Sequence, residues 1–131
     1  MARPSSEHPT ERELEILRIL WRDGPQELGQ IRSALEAARG AEVAKTTVAT
    51  VLKVMEEKSL VRRLEGGRNY RWSARATQKK TSRGLIRRLV DGAFDGSTKG
   101  LVAHIIEDGR LDEGEIEEIR RMLDEARRED R

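Results

Sequence analysis

From Thr10 to Lys58 apolar residues recur at the three-to-four spacing of helices. From Leu60 the period drops to two on either side of Gly66–Gly67. This change of period constrains the fold most, because a helical stripe forced into a strand would bury the wrong side chains. Three amphipathic helices followed by a two-stranded hairpin leave few architectures open.

Thr10 and Glu13 open the first helix as a capping box, each satisfying a free backbone N–H. Leu14, Leu17, Leu20 and Trp21 form its stripe. Gly24–Pro25 ends it and starts the second helix, since proline suits a first turn. Leu28, Ile31, Leu35 and Ala38 line that second helix, and Gly40 stops it. After the loop Ala41–Ala44, a third helix runs from about Lys45 to Lys58. Val48, Leu52 and Met55 face inward with Val51 beside them, and Thr46, Thr50, Lys53 and Glu57 lie opposite. In the hairpin Tyr70 and Trp72 alternate with Arg71, as a strand packed on one face requires. The glycine pair supplies the positive φ of a tight turn.

Helix returns near Thr77, with a stripe of Leu85, Ile86, Leu89, Val90 and Ala93 reaching Phe94. Asp95–Gly96 interrupts it. Ser97 caps the next helix, whose apolar residues are Leu101, Val102, Ile105 and Ile106. Asp108–Gly109 ends that helix. Asp112 and Glu115 make a further capping box ahead of Ile116, Ile119, Leu123 and Ala126. The expected organisation is a tail over residues 1–9, a winged domain over 10–74 and a helical domain over 75–131.

Charge sorts along the chain. The 131 residues carry a formal charge of only +2. Residues 1–44 hold 6 Lys/Arg and 8 Asp/Glu, giving −2, and residues 89–131 hold 7 and 13, giving −6. The middle, 45–88, holds 13 Lys/Arg against 3 Asp/Glu, giving +10. A cationic block between acidic flanks is the footprint of a polyanion site.

Several functions are poorly supplied. There is no cysteine, which excludes disulfides, thiol catalysis and cysteine-based metal sites. The two histidines, His8 and His104, are far apart. No carboxylate pair, phosphate loop or nucleophile motif stands out, so neither an enzyme nor a cofactor or metal is expected. No apolar run approaches the roughly 18–20 residues of a membrane span. Met1–Pro9 lacks the apolar core of a secretory signal. The expected setting is the cytoplasm.

Helix, helix, helix, hairpin is the order of a winged helix-turn-helix, in which the third helix enters the major groove and the hairpin is the wing. Thr46, Thr47 and Thr50 offer hydroxyls and methyls to base edges. Lys45, Lys53, Arg63, Arg68 and Arg71 are the candidate phosphate ligands, with Arg68 nearest the wing tip. Each has a plainer reading. Thr46 or Thr47 can serve as a helix cap, Lys53 can be merely solvated, and only one of Arg62 and Arg63 can face a duplex. Tyr70 and Trp72 fit core aromatics better than stacking platforms. About 55 C-terminal residues cannot readily bury three amphipathic faces alone. Leu85, Leu89, Leu101, Ile105, Ile116, Ile119 and Leu123 are therefore the candidate seam of a homodimer, which would place two reading helices on a palindromic site. The rivals are a winged helix that binds proteins, a DNA binder without sequence preference, and a small enzyme.

The chain resembles the penicillinase-repressor family, the repressors of β-lactamase and methicillin-resistance genes. The segments that carry the likeness are Thr10–Trp21, Lys45–Leu52, Gly66–Ser73 and Phe94–Ser97 with the two helices that follow, within residues 10–126. The resemblance implies a homodimer with an N-terminal winged helix, an inverted-repeat operator and transcriptional repression. It places Thr46, Thr47, Thr50 and Lys53 on the recognition helix, and Arg68 and Tyr70 on the wing. It implies release by a protease linked to a membrane sensor of antibiotic. Two departures stand out. Ser59 replaces a glycine common at the end of the third helix. His104–Ile105 replaces the cleaved Asn–Phe pair of some relatives. Having no cysteine, the chain also lacks the metal site of a copper-responsive branch.

Overall fold

The computed structural model describes residues 8–66 and 69–130. Six helices and one two-stranded sheet follow in the order α1 (Glu11–Asp23), α2 (Leu28–Arg39), α3 (Lys45–Glu57), β1 (Val61–Leu64), β2 (Arg71–Ala74), α4 (Gln78–Ala93), α5 (Thr98–Glu107) and α6 (Glu113–Glu129). The mainly α, winged-helix class read from the periodicity is the one observed. Two compact units divide after Leu85.

In the first unit the capping box of α1 is formed. Glu13 N–H donates to Thr10 Oγ1 at 3.2 Å, and Thr10 N–H donates to Glu13 Oε1 at 2.9 Å. The core draws Ile16, Leu17, Ile19 and Leu20 from α1, Ile31 and Leu35 from α2, and Val48, Leu52 and Met55 from α3. Leu60, Val61 and Trp72 close it from the sheet side. The α3 stripe is the expected one. In α1, Ile16 and Ile19 are buried where Leu14 and Trp21 are only half-buried. Trp21 sits at the rim, and its Nε1–H donates to the Ala76 carbonyl at 2.8 Å.

Pro25 does not start a helix. The α1–α2 link runs extended, and Gln26 forms a bridge with Trp72. Gln26 N–H donates to Trp72 O at 3.0 Å and Trp72 N–H to Gln26 O at 2.7 Å. The pairing partner lies far along the chain, so the local proline rule could not anticipate it.

α3 closes in a Schellman arrangement. Leu60 N–H donates to Met55 O at 2.9 Å, Ser59 N–H donates to Glu56 O at 3.0 Å, and Ser59 takes φ +64°. The departure from glycine therefore leaves the helix ending in place. Leu60 and Met55 are both buried, supplying the apolar contact that accompanies this motif.

The first unit runs past residue 74, the end of the winged domain read from the sequence. Arg75 N–H donates to the Leu60 carbonyl at 2.8 Å, and a Cβ added at Gly84 would lie 3.5 Å from His8 Cε1. The first two turns of α4 therefore belong with the winged unit.

In the second unit Ser97 caps α5 by accepting from Gly100 N–H at 2.9 Å. Asp112 and Glu115 form the expected box at α6, with Glu115 N–H donating to Asp112 Oδ1 at 2.8 Å. Val90 is buried, while most other large apolar side chains there are exposed in the single chain. His104 meets Phe94 edge to face at 5.8 Å between centroids.

Candidate nucleic-acid interface

The turn that delivers α3 is locked by its own polar groups. Arg32 Nε donates to the Val43 carbonyl at 2.7 Å, and Val43 N–H donates to Glu36 Oε2 at 3.0 Å, with Val43 itself buried. Two α2 side chains thus satisfy the backbone of the turn, which fixes where α3 begins. Ala44 is the N-cap and gives no side-chain bond. Neither Thr46 nor Thr47 caps the helix, so the capping alternative for them does not hold. A helix start without a side-chain cap keeps N–H groups available to an anion.

Lys45, Thr46, Ala49, Thr50 and Lys53 are exposed, and Thr47 is half-buried. The exposed residues make one stripe along α3, opposite the buried Val48, Leu52 and Met55. Ala49 was not singled out in the sequence. As a small residue between two threonines, it lets a partner approach the helix backbone. The Thr50 hydroxyl donates to the Thr46 carbonyl at 2.9 Å. Its donor is therefore used within the helix, and the methyl is left for external contact.

The wing pairs Val61 with Ala74, Arg62 with Ser73, Arg63 with Trp72 and Leu64 with Arg71. Side chains alternate between the faces of such a ribbon. Arg62 and Arg71 therefore share the outer face, while Arg63 lies on the inner face with Trp72. Arg63 Nε lies 3.0 Å from Glu56 Oε2, and its Nη2 donates to Glu56 Oε1 at 3.1 Å. The same guanidinium stands 4.9 Å from the Tyr70 ring centroid and 5.1 Å from that of Trp72. Strand alternation did signal that only one of Arg62 and Arg63 could face outward. It did not say which, and Arg62 is the outer one. Trp72 is buried, as a core aromatic should be, whereas Tyr70 is exposed at the edge. The candidate Arg68 lies outside the described residues.

The candidate seam residues are all at least partly open in the single chain. Leu89, Ile105, Ile116 and Leu123 are exposed, and Leu85, Leu101 and Ile119 are half-buried. Among the described residues no helix is long and apolar enough to cross a membrane.

Comparison with known proteins agrees with this architecture. The profile described as "Penicillinase repressor" matches residues 9–125. The "Transcriptional regulator BlaI" of Mycobacterium tuberculosis is 31% identical over 115 residues, covering 86% of this chain and 80% of that protein. Among solved structures, the hsRosR-S1 complex gives a TM-score of 0.51 at 22% identity, over 77% of this chain and 91% of that one. The hsRosR-S4 complex gives 0.50 at 21% identity, over 77% and 89%. At such identities the structural likeness is one of fold. The chain belongs to the penicillinase repressor family and is a winged-helix transcriptional regulator.

Proposed function

We propose that this regulator is a repressor that binds an inverted-repeat operator as a homodimer. The observation that carries the reading is the exposed threonine stripe of α3, flanked by Lys45 and Lys53 within the segment of +10 formal charge. Lys45, Lys53, Arg68 and Arg71, with Arg62 added from the strand register, hold phosphates and supply most of the affinity. Thr46, Thr47 and Thr50 discriminate bases, and Tyr70 lies at the edge of the wing. Leu85, Leu89, Leu101, Ile105, Ile116, Ile119 and Leu123 form the seam. Their openness in the single chain supports this, because a stable protomer seldom leaves so many large apolar side chains in water.

The relatives' names point to β-lactamase-type genes as targets. Repression follows from occupying promoter DNA in the cytoplasm, with no catalytic step. Release by a sensor-linked protease is the mechanism the family suggests; since His104–Ile105 stands where some relatives have the cleaved Asn–Phe pair, cleavage here would use a different bond.

The test is selection of duplexes from a random-sequence pool by the full chain, followed by gel shift of the selected and scrambled fragments. Recovery of a palindrome bound well above its scrambled form supports the repressor reading. Equal binding to both makes the chain a binder without sequence preference. No retention of any duplex returns the winged helix to a protein-binding role.

A further inference from the structure

The wing is held to its unit from two sides. On one side the paired backbone bonds between Gln26 and Trp72 fasten β2 to the α1–α2 link. On the other side Arg63 reaches from β1 to Glu56 on α3. The two contacts at 3.0 and 3.1 Å engage both carboxylate oxygens, a fork geometry that fixes the plane of the guanidinium. Tyr70 and Trp72 meet edge to face, with centroids 5.5 Å apart and planes at 75°, and the guanidinium lies against both rings. One side chain thus joins the recognition helix, the first strand of the wing and the aromatic pair at the second.

We propose that Glu56 and Arg63 form a clasp that sets the angle of the wing against α3, making Arg63 a positioning residue rather than a phosphate ligand. The proposal rests on the DNA-binding reading above. An exposed ion pair alone holds weakly. Here the fork and the two rings fix the same group together, and leaving for a phosphate would forfeit both. Glu56 has a further consequence. Simple electrostatics says that removing a carboxylate beside a polyanion tightens binding. A clasp says that removing it loosens the wing and weakens binding.

The test uses the full chain and the duplex it selects from a random pool. Arg63→Gln, Arg63→Lys, Glu56→Gln and the double Glu56→Gln/Arg63→Gln are titrated across salt concentrations. Amide exchange of β1 and β2 is followed in the free protein. The expected result is several-fold weaker binding for each single variant, with the slope of log affinity against log salt retained. The double variant should be no worse than either single one, as coupled residues behave. Lysine should fail to restore binding, because it keeps the charge and loses the fork. Wing amides should exchange faster in every variant. The proposal is overturned if Arg63→Gln lowers the slope by about 0.9, the loss of one phosphate contact. It is also overturned if Arg63→Lys or Glu56→Gln binds at least as well as the parent, or if wing exchange is unchanged. A parent chain that retains no duplex removes the DNA-binding reading instead, and exchange alone then decides whether the clasp exists.

Discussion

Lys58, the residue that closes α3, places its ammonium 2.8 Å from the Glu13 carboxylate in the first turn of α1, with side-chain exposures of only 8% and 5%. The same Glu13 oxygen accepts from Thr10 N–H. One carboxylate therefore caps α1 and anchors the end of α3. Removing one partner of such a buried pair strands the other charge. Lys58→Met should lower unfolding free energy by about 3–5 kcal/mol. The double Glu13→Gln/Lys58→Met should recover most of that loss, because glutamine still accepts from Thr10 without carrying a charge. Urea midpoints of the three proteins decide; a single variant as stable as the parent would show the pair to be idle.

Ser59 holds φ +64°, where a side chain crowds the backbone. That conformation costs about 1–2 kcal/mol for an ordinary residue, against about 0.5–1 kcal/mol of extra chain entropy lost by glycine. Ser59→Gly should therefore raise stability by roughly 0.5–1 kcal/mol. Ser59→Val should lower it, because a β-branched residue tolerates this region least. Thermal unfolding of both measures the difference, and the opposite order would contradict the strain argument.

Much of the architecture is legible in the residues, and the gaps share one cause. Val48, Leu52 and Met55 could be read from spacing because a helix repeats its own geometry. The caps at Thr10, Ser97 and Asp112 could be read because each capping bond closes within three residues. Gln26 with Trp72, Glu13 with Lys58 and Glu56 with Arg63 join residues whose neighbourhood is made by folding. Glu13 shows the limit well. Local chemistry already explained it as a cap, and nothing nearby in the chain marked its second partner. Arg63 shows it again, since alternation separates it from Arg62 without saying which face meets the core.

Lys53 is exposed on the α3 stripe, one turn beyond Thr50. As a phosphate ligand it carries no sequence information. Lys53→Ala should weaken the selected and scrambled duplexes alike, and lower the salt slope by about 0.9. Filter binding over a range of salt checks it. A loss confined to the selected duplex would assign Lys53 to a base edge.

Thr50 spends its hydroxyl donor on the Thr46 carbonyl. Its methyl is then the group free to pack on a thymine methyl. Thr50→Ser removes that methyl and should cost about 0.8 kcal/mol, roughly fourfold in affinity, on the selected duplex. Thr50→Val keeps a methyl and should cost less. If valine is the more damaging change, the hydroxyl oxygen accepts from a base and the methyl reading is wrong.

Leu123 is 65% exposed in the single chain, on the last turns of α6. A substitution there leaves the protomer's own core untouched, so any large effect must come from a second molecule. In a dimer seam, Leu123→Asp would place an unpaired carboxylate in apolar surroundings, which is expensive without a compensating partner. Circular dichroism should show the helices retained while sedimentation shifts from dimer to monomer. Affinity for the palindrome should fall further than affinity for a single half-site, because tethering no longer raises the effective concentration of the second reading helix. A sedimentation profile still dimeric would move the seam off α6, leaving Leu85, Leu89, Leu101 and Ile105 to form it.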